Sequence, residues 1–216
     1  MLDAITTNVT SFFREPAHFQ FLRDTVIPQA AQANRHLRIW SAGCSNGAEP
    51  YSVAMTLREA IPDLSRWDVQ IVSTDVSTTM LEQVKAGVYP QEVLRSMDPK
   101  LLQKYFTPLV SNGQASYQVR AELRDMLRIG HLNLLNAWPS GQPFDVIFCR
   151  NVMIYFDRVT RTNLVNRFAE RLRPGGHLLV GHAESLTGTA TNLEYVRPAV
   201  YRKPAAAAAV AGKGVL

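Results

Sequence analysis

The chain has 216 residues, enough for one large domain or two small ones with a substantial buried core. Hydrophobic residues make up 46% and charged residues 19%, which argues against a disordered chain, and no apolar run approaches the roughly 20 residues that a spanning helix needs. The net charge of +5 comes from scattered lysines and arginines, so neither nucleic-acid binding nor membrane insertion is expected.

Short β-branched runs alternate with helical patterns, as is typical of strands joined by crossover helices in a mostly parallel sheet. A leading helix is predicted within residues 6–34, with Pro16 near its start. Strands are predicted at 37–42, 69–75, 127–135, 144–149 and 176–182, with a closing antiparallel hairpin at 193–203. Helices are predicted at 50–60, at 77–85 before Gly87, and from Asp157 to Gly175 and Gly176. The fold class is therefore α/β.

One segment, residues 88–130, interrupts this alternation. It contains a short helical pattern at 99–106 and an Asn112-Gly113 pair between two strand-like runs, which predicts a hairpin. We interpret the segment as a small antiparallel β insertion in a domain that spans residues 1–204. The alanine-rich end, residues 205–216, is expected to be a flexible tail or linker.

The most informative local pattern is a glycine loop between the first predicted strand and its helix, Ser41 to Pro50. Its GxxxG spacing is neither the dinucleotide fingerprint nor a phosphate-binding loop, but Gly43 allows the backbone to approach a ligand closely. Asp75 ends the next strand, where a carboxylate can accept both hydroxyls of a ribose. The pattern favours a nucleoside site, and the alternative is a tight turn with a solvated aspartate.

Polar residues also end two further predicted strands. Asn133 with Leu134 lies at the end of one of them, and Arg150 with Asn151 follows the other. The carboxyl ends of strands in an open α/β sheet are where ligands bind, so these residues are expected to extend the same site. Taken singly, the arginine could be a surface charge and the asparagine part of a turn.

Four strings resemble the catalytic domain of the CheR family of chemotaxis receptor methyltransferases: TTNVTSFFRE (6–15), WSAGCSNGAEPYS (40–52), FDVIFCRNVMIYFD (144–157) and LRPGGHLLVGHAES (172–185). The resemblance implies a Rossmann-like fold dependent on S-adenosylmethionine, with a seven-stranded sheet. It further implies methyl transfer to glutamate side chains of chemoreceptors, which yields glutamyl methyl esters and S-adenosylhomocysteine. Localisation is expected to be cytoplasmic.

The resemblance also assigns residues. It places Glu49 on the amino-acid portion of the cofactor and Asp75 on the ribose. Arg14 and Tyr155 would face the transferred methyl group as catalytic residues. The remaining cofactor contacts would come from the leading segment and from the ends of two strands: Asn8, Thr10, Arg14, Asn133, Leu134, Arg150 and Asn151.

The implied partners are the cytoplasmic helices of methyl-accepting chemoreceptors. The segment 88–130 corresponds to a small β subdomain that binds a receptor C-terminal peptide in some family members. Family members usually carry a helical domain ahead of the TTN string, and this chain begins five residues before it, so that domain is expected to be absent. The histidines show no metal-ligand spacing, and no metal is expected.

The chemistry is compatible with these residue types. A glutamate carboxylate is already anionic at neutral pH and needs no general base, so the lack of a Ser-His-Asp pattern is expected. Two alternatives stay open at this point. One is a methyltransferase for a small carboxylate or hydroxyl compound, and the other is a domain that binds S-adenosylmethionine without turnover.

Overall fold

The computed structural model describes residues 10–111 and 113–205. Ten strands occur within these ranges: β1 (His36–Ala42), β2 (Asp68–Asp75), β3 (Val88–Pro90), β4 (Phe106–Ser111), β5 (Gln114–Val119), β6 (Leu127–His131), β7 (Phe144–Cys149), β8 (Leu172–Val180), β9 (Glu194–Arg197) and β10 (Val200–Arg202). The α-helices described there are α1 (Ala17–Phe21), α2 (Ile27–Ala33), α3 (Ala48–Ala60), α4 (Thr78–Ala86), α5 (Pro99–Tyr105), α6 (Ala121–Arg124) and α7 (Arg158–Arg171).

The main sheet has seven strands in the order β6-β2-β1-β7-β8-β10-β9. Strands β6, β2, β1, β7 and β8 are parallel to one another, while β10 runs antiparallel to both β8 and β9. The chain moves from β1 to β2 on one side and later places β7 on the other side of β1. Helix α3 follows β1 on one face of the sheet and α7 follows β7 on the other, so the carboxyl ends of β1 and β7 form a switch point, where ligands bind in open α/β sheets.

The second sheet is small and antiparallel, with the order β3-β5-β4. It lies within the predicted insertion, and the hairpin expected around residue 113 is formed by β4 and β5. Helix α5 precedes this hairpin and is capped by Asp98, whose side chain accepts the Lys100 amide. The predicted mixed architecture, a mostly parallel sheet with a small antiparallel one, is confirmed.

Helix boundaries follow from local capping. The Ser77 hydroxyl accepts the Met80 amide at 3.3 Å at the start of α4, and Gly87 ends that helix at φ +61°. The Asp157 carboxylate caps α7 through the Thr160 amide at 2.9 Å. Both N-caps and the Gly87 terminus agree with the sequence prediction.

Several boundaries were predicted wrongly. Helix α7 ends at Arg171 rather than at Gly175, and Leu172 belongs to β8 instead of the apolar helix stripe. Pairing between Phe144 and Leu172 starts this strand early, since a strand that is buried overrides the local helical pattern. Strand β6 stops at His131, four residues before its predicted end, because the chain leaves the edge of the sheet there.

The leading segment is helical from Ala17 to Ala33, as predicted, but its middle turn, Leu22–Val26, is π-helical. Pro16 directly precedes it. One apolar cluster packs this helix and α3 against one face of the main sheet. A second cluster packs α7 against the other face, so the main sheet is covered on both sides. Among residues 10–111 and 113–205, we find no helix with the length and apolar character required to cross a bilayer.

Candidate active site at the carboxyl edge of the sheet

The sequence-predicted strand-end residues all lie at one edge of the main sheet. Asn133 follows β6, Asp75 ends β2, the glycine loop follows β1, and Arg150 follows β7. These four strands are consecutive and parallel, so their carboxyl ends meet at the same edge. Glu49 follows β1 and Arg150 follows β7, and their side chains meet at the switch point between these strands.

Arg150 is a buried charged group of this edge, with a side chain that is 3% exposed. Its Nη1 donates to Glu49 Oε2 at 3.1 Å, and its Nη2 lies 3.1 Å from Glu15 Oε2. Nη2 also donates to the main-chain carbonyl of Arg14. One guanidinium thus joins the leading segment, the start of α3 and the end of β7.

The two carboxylates on Arg150 have different electrostatic environments. Burial is the largest influence on Glu49 and raises the pKa of its carboxyl, against the Arg150 charge and a 2.7 Å hydrogen bond from Ser41. Burial also acts to raise the pKa of Glu15, but the charge and hydrogen bond of Arg150 outweigh it, and that pKa lies below its ordinary value. Glu49 is therefore the carboxylate that gains most from a second cationic ligand.

Asp75 organises the glycine loop. Its Oδ2 accepts the Ser45 amide at 2.7 Å and its Oδ1 accepts the Ser77 amide at 3.0 Å. Each oxygen retains a second lone pair, so the carboxylate can still accept ligand hydroxyls. Gly43 has φ +83°, and a Cβ there would lie 2.5 Å from a Val152 methyl carbon. The positive φ and the close Val152 side chain both favour glycine at this position, independently of any ligand contact.

We expect Asp75→Ala to weaken binding of S-adenosylmethionine, the cofactor that the sequence resemblance implies. The reason is twofold: a ribose acceptor is lost, and the loop loses its bond to the Ser45 amide. Charge-assisted hydrogen bonds contribute about 1.5–3 kcal/mol each, which predicts at least a tenfold rise in Kd. Isothermal calorimetry measures this directly, and an unchanged Kd would remove Asp75 from the site.

The segment before α1 reaches from the small sheet to this edge. Phe12 packs edge-on against Tyr89 and Phe106, with ring centroids 4.9 and 5.6 Å away. Phe13 and Glu15 have φ +53° and +56°, so the residues on both sides of Arg14 are in the left-handed region. Such conformations cost about 1–3 kcal/mol and cluster at functional sites. Thr10 begins the described segment, and predicted Asn8 lies outside the described residues.

Asn133 and Leu134 turn the chain after β6. The Asn133 side-chain oxygen accepts the Leu135 amide at 2.9 Å, which is the asparagine turn considered as an alternative from sequence. The Leu134 carbonyl accepts from Trp138 Nε1 and from Arg167 Nη1 at 3.1 and 2.7 Å. The hydrogen bonds to the Leu134 carbonyl therefore hold this turn, which lies at the same edge of the main sheet as Asp75.

The loop after β7 carries Asn151 and Tyr155. Asn151 has φ +58°, and the 3₁₀ turn Met153–Tyr155 ends in a tyrosine that is 42% exposed. Buried Glu184 accepts backbone amides of this loop. Sequence reasoning missed the roles of Glu184 and Glu15, although both lie inside the strings that carry the resemblance.

A third feature of the edge is a cluster of Glu15, His18 and His182, which offers three ligand-type atoms within 4.8 Å of one another. Sequence spacing did not predict this proximity. His18 is 1% exposed, and neither of its ring nitrogens has a hydrogen-bond partner within the described residues. The Arg150 guanidinium already neutralises Glu15 at 3.1 Å and opposes a cation here, so we assign no metal to the cluster.

We expect acid to destabilise the protein through two buried histidines. Burial is the main cause of both shifts, and it lowers the pKa of His18 to about 3 and that of His177 to about 4. The unfolded state has a histidine pKa near 6.5, so the stabilisation is complete above about pH 6.5 and is lost as pH falls toward the folded values. Each histidine should contribute up to about 1.4 kcal/mol per pH unit in this window.

The measurement is urea denaturation at several pH values between 7 and 4.5. His18→Phe and His177→Phe each replace a buried ring with an apolar one. Each should lower the slope of the unfolding free energy against pH by the equivalent of roughly one bound proton. The carboxyl groups are common to all three proteins, so the difference isolates the histidines. Parallel curves for variants and wild type would contradict the prediction.

Comparison with known proteins decides the family. The family model described as CheR methyltransferase, SAM binding domain, matches residues 8–201. The chain belongs to the CheR methyltransferase family. A chemotaxis protein methyltransferase of Borreliella burgdorferi is 41% identical over an alignment of 210 residues that covers 94% of this chain and 73% of that protein. Chemotaxis protein methyltransferase 2 of Pseudomonas aeruginosa is 41% identical over 93% of this chain and 71% of its own length. The Escherichia coli chemotaxis protein methyltransferase is 39% identical over 86% and 64%, respectively.

The cofactor of this family domain, S-adenosylmethionine, suits the donor set of the edge. Its amino-acid group carries opposite charges, and the edge offers a carboxylate with a raised pKa, Glu49, beside the buried guanidinium of Arg150. Its ribose needs hydroxyl acceptors, and the Asp75 carboxylate at this edge keeps lone pairs beyond its bonds to the Ser45 and Ser77 amides. The CheR fold expected from the sequence is thus confirmed together with its cofactor.

Proposed function

We propose that this chain methylates glutamate side chains of chemoreceptor cytoplasmic helices, with S-adenosylmethionine as the methyl donor. The observation that carries the proposal is the Glu49–Arg150 pair, buried at the switch point of a CheR methyltransferase sheet. Such a pair binds a zwitterionic ligand and offers no hydrolytic machinery. A cytoplasmic location follows from this substrate.

We propose roles for the site residues from the resemblance and, for the residues that the structure describes, from their positions at this edge. Glu49 binds the ammonium group, Asp75 binds the ribose, and Asn133 with Leu134 borders the adenine. Asn8, Thr10 and Gly43 contribute contacts from the leading segment and the glycine loop. Arg150 and Asn151 line the same ligand from the β7 side, where Arg150 also fixes the backbone of Arg14. These assignments extend the resemblance, residue by residue, to this edge.

When bound, S-adenosylmethionine supplies an electrophilic methyl group on a sulfonium. The chain then has to place a carboxylate oxygen in line with that methyl, and no proton needs to be removed. Arg14 can hold one carboxylate oxygen through its guanidinium, and Tyr155 can donate a further hydrogen bond. The second oxygen stays available to attack, since pairing both would stabilise the ground state.

The test is transfer of radiolabelled methyl from S-adenosylmethionine to a receptor cytoplasmic fragment. Label that base releases as methanol identifies a glutamyl methyl ester. A receptor fragment with its methylatable glutamates changed to alanine is the control. Label on small carboxylates but not on the receptor would favour a small-molecule enzyme, and cofactor binding without transfer would favour a sensor domain.

We expect Tyr155→Phe to slow methyl transfer by about 10- to 100-fold, with cofactor affinity nearly unchanged. The substitution keeps the ring and deletes the hydroxyl that would orient the glutamate. Single-turnover rates and calorimetry separate the two effects. Tyr195→Phe is the matched control, because Tyr195 is 64% exposed on β9, at the far end of the sheet. Wild-type rates for Tyr155→Phe would return Tyr155 to a packing role.

We also propose that the small sheet binds a receptor C-terminal peptide along β4. Within the described residues β4 pairs only with β5, so its outer edge is available for strand addition. Val110 on this strand is 76% exposed. A labelled receptor C-terminal peptide should bind the chain, and Val110→Lys should weaken that binding while methylation of a tail-less receptor fragment stays unchanged.

A further inference from the structure

Glu184 is a fully buried carboxylate at the carboxyl edge of the main sheet. Its residue is 0% exposed, and it lies in the turn that follows β8. Oε2 accepts the backbone amides of Asn151 and Gly181, each at 2.7 Å, and Oε1 accepts the amide of Ile154 at 3.1 Å. Three backbone donors thus converge on one side chain, a geometry that fixes backbone rather than side chains.

Two of these donors belong to the loop that carries Tyr155. Asn151 has φ +58°, so the loop begins with a left-handed residue that needs support from its surroundings. Ile154 precedes Tyr155 within the 3₁₀ turn, and Met153 between the two donors is 0% exposed. Glu184 therefore determines where the loop leaves β7 and how its turn is oriented.

Gly181 lets the carboxylate approach this loop. A Cβ at that position would lie 2.6 Å from Asn151 Nδ2 and 2.8 Å from Glu184 Oε2. Arg150, by contrast, is held separately by Glu49, Glu15 and the Arg14 carbonyl. Support from Glu184 therefore concerns residues 151–155 and leaves the Arg150 contacts in place.

We propose that Glu184 is a positioning residue for methyl transfer, acting through the Asn151–Tyr155 loop and not on substrate. This inference rests on the proposed function for its rate effect, because it assumes that Tyr155 faces the reacting carboxylate. The bonds to Asn151 and Ile154 hold the turn, and the turn holds Tyr155. Loss of these bonds should affect the rate of transfer more than the affinity for S-adenosylmethionine.

The experiment compares Glu184→Gln with Asp145→Asn. Both replace a buried carboxylate by its amide, and Asp145 accepts the Arg38 amide at 2.7 Å at the opposite end of β7. In Glu184→Gln the new NH₂ group faces a backbone N–H donor, which breaks at least one bond. We expect single-turnover methyl transfer to slow by about 10- to 100-fold, because displacing a group that orients the substrate by about 1 Å can lower the rate by this much. Asp145→Asn should keep its rate.

A second readout is independent of catalysis. Amide hydrogen exchange at Asn151 and Ile154 should accelerate in Glu184→Gln and remain slow in Asp145→Asn.

Should Glu184→Gln fail to fold, Gly181→Ala serves in its place, since its methyl group separates Glu184 from the loop. Unchanged exchange at both amides, or equal rate losses in Glu184→Gln and Asp145→Asn, would overturn the inference. If the wild type methylates no receptor fragment, the proposed function fails, and the exchange data still decide whether Glu184 holds the loop.

Discussion

Arg150→Met is expected to lower the free energy of unfolding by about 3–5 kcal/mol at pH 7. Methionine matches the length of the buried stem but leaves Glu49 and Glu15 without the guanidinium that both contact at 3.1 Å. Removing one partner of a buried pair is costly because the remaining charge has lost its solvent as well as its partner. Urea denaturation, monitored by circular dichroism, measures the loss.

A control variant and a double variant test whether this loss of stability comes from the buried ion pairs. Arg202→Met breaks the Arg202–Glu194 pair, whose side chains are about half exposed at 51% and 50%, and should cost less than about 1 kcal/mol. Adding Glu49→Gln to Arg150→Met should restore part of the stability, since an amide needs no counter-charge. A loss for Arg150→Met no larger than that for Arg202→Met would contradict the structural role of the guanidinium.

Arg14→Ala is expected to reduce kcat/KM for receptor methylation by at least about 100-fold, equivalent to about 2.7 kcal/mol. Arg14 would hold one oxygen of the substrate carboxylate and would also contact the cofactor, and each charge-assisted hydrogen bond contributes about 1.5–3 kcal/mol. The Arg14 carbonyl still accepts from Arg150 after the substitution, so this backbone contact is kept. Steady-state methylation kinetics measure the loss of activity, and urea denaturation measures any change in stability beside it.

The control for Arg14→Ala is Arg23→Ala, because Arg23 is 55% exposed and pairs with neighbouring Asp24. This variant should methylate at the wild-type rate. Arg14→Lys keeps the charge but not the planar guanidinium group, so it should recover only part of the lost activity. Full activity in Arg14→Ala would exclude Arg14 from the reacting groups.

Sequence patterns predicted the strands and the shared edge because these depend on local information. A buried strand followed by Asp75 or by Arg150 places a polar group at a carboxyl end, and parallel neighbours bring such ends together. Ser77 and Asp157 likewise predicted helix starts, since capping acts over three residues.

Long-range pairing was not predictable in the same way. The early start of β8 depends on Leu172 pairing with Phe144, 28 positions away, whereas the local pattern of Leu172 continues the helix stripe. Glu184 resembles an ordinary turn residue after an apolar strand. Its role depends on three amides that only the folded chain brings together. The sequence offered one indirect signal, a glutamate in the turn that follows an apolar strand.

The leading segment makes the two sheets mechanically dependent on each other. Phe12 sits against Tyr89 of β3 and Phe106 of β4, while Glu15, three residues later, contacts Arg150 at the edge of the main sheet. Three residues span at most about 11 Å, so neither end can shift far without pulling the other. If a ligand on the small sheet shifts Phe12 and thereby changes affinity at the Arg150 edge, thermodynamic reciprocity requires that a ligand at that edge change affinity at the small sheet by the same factor.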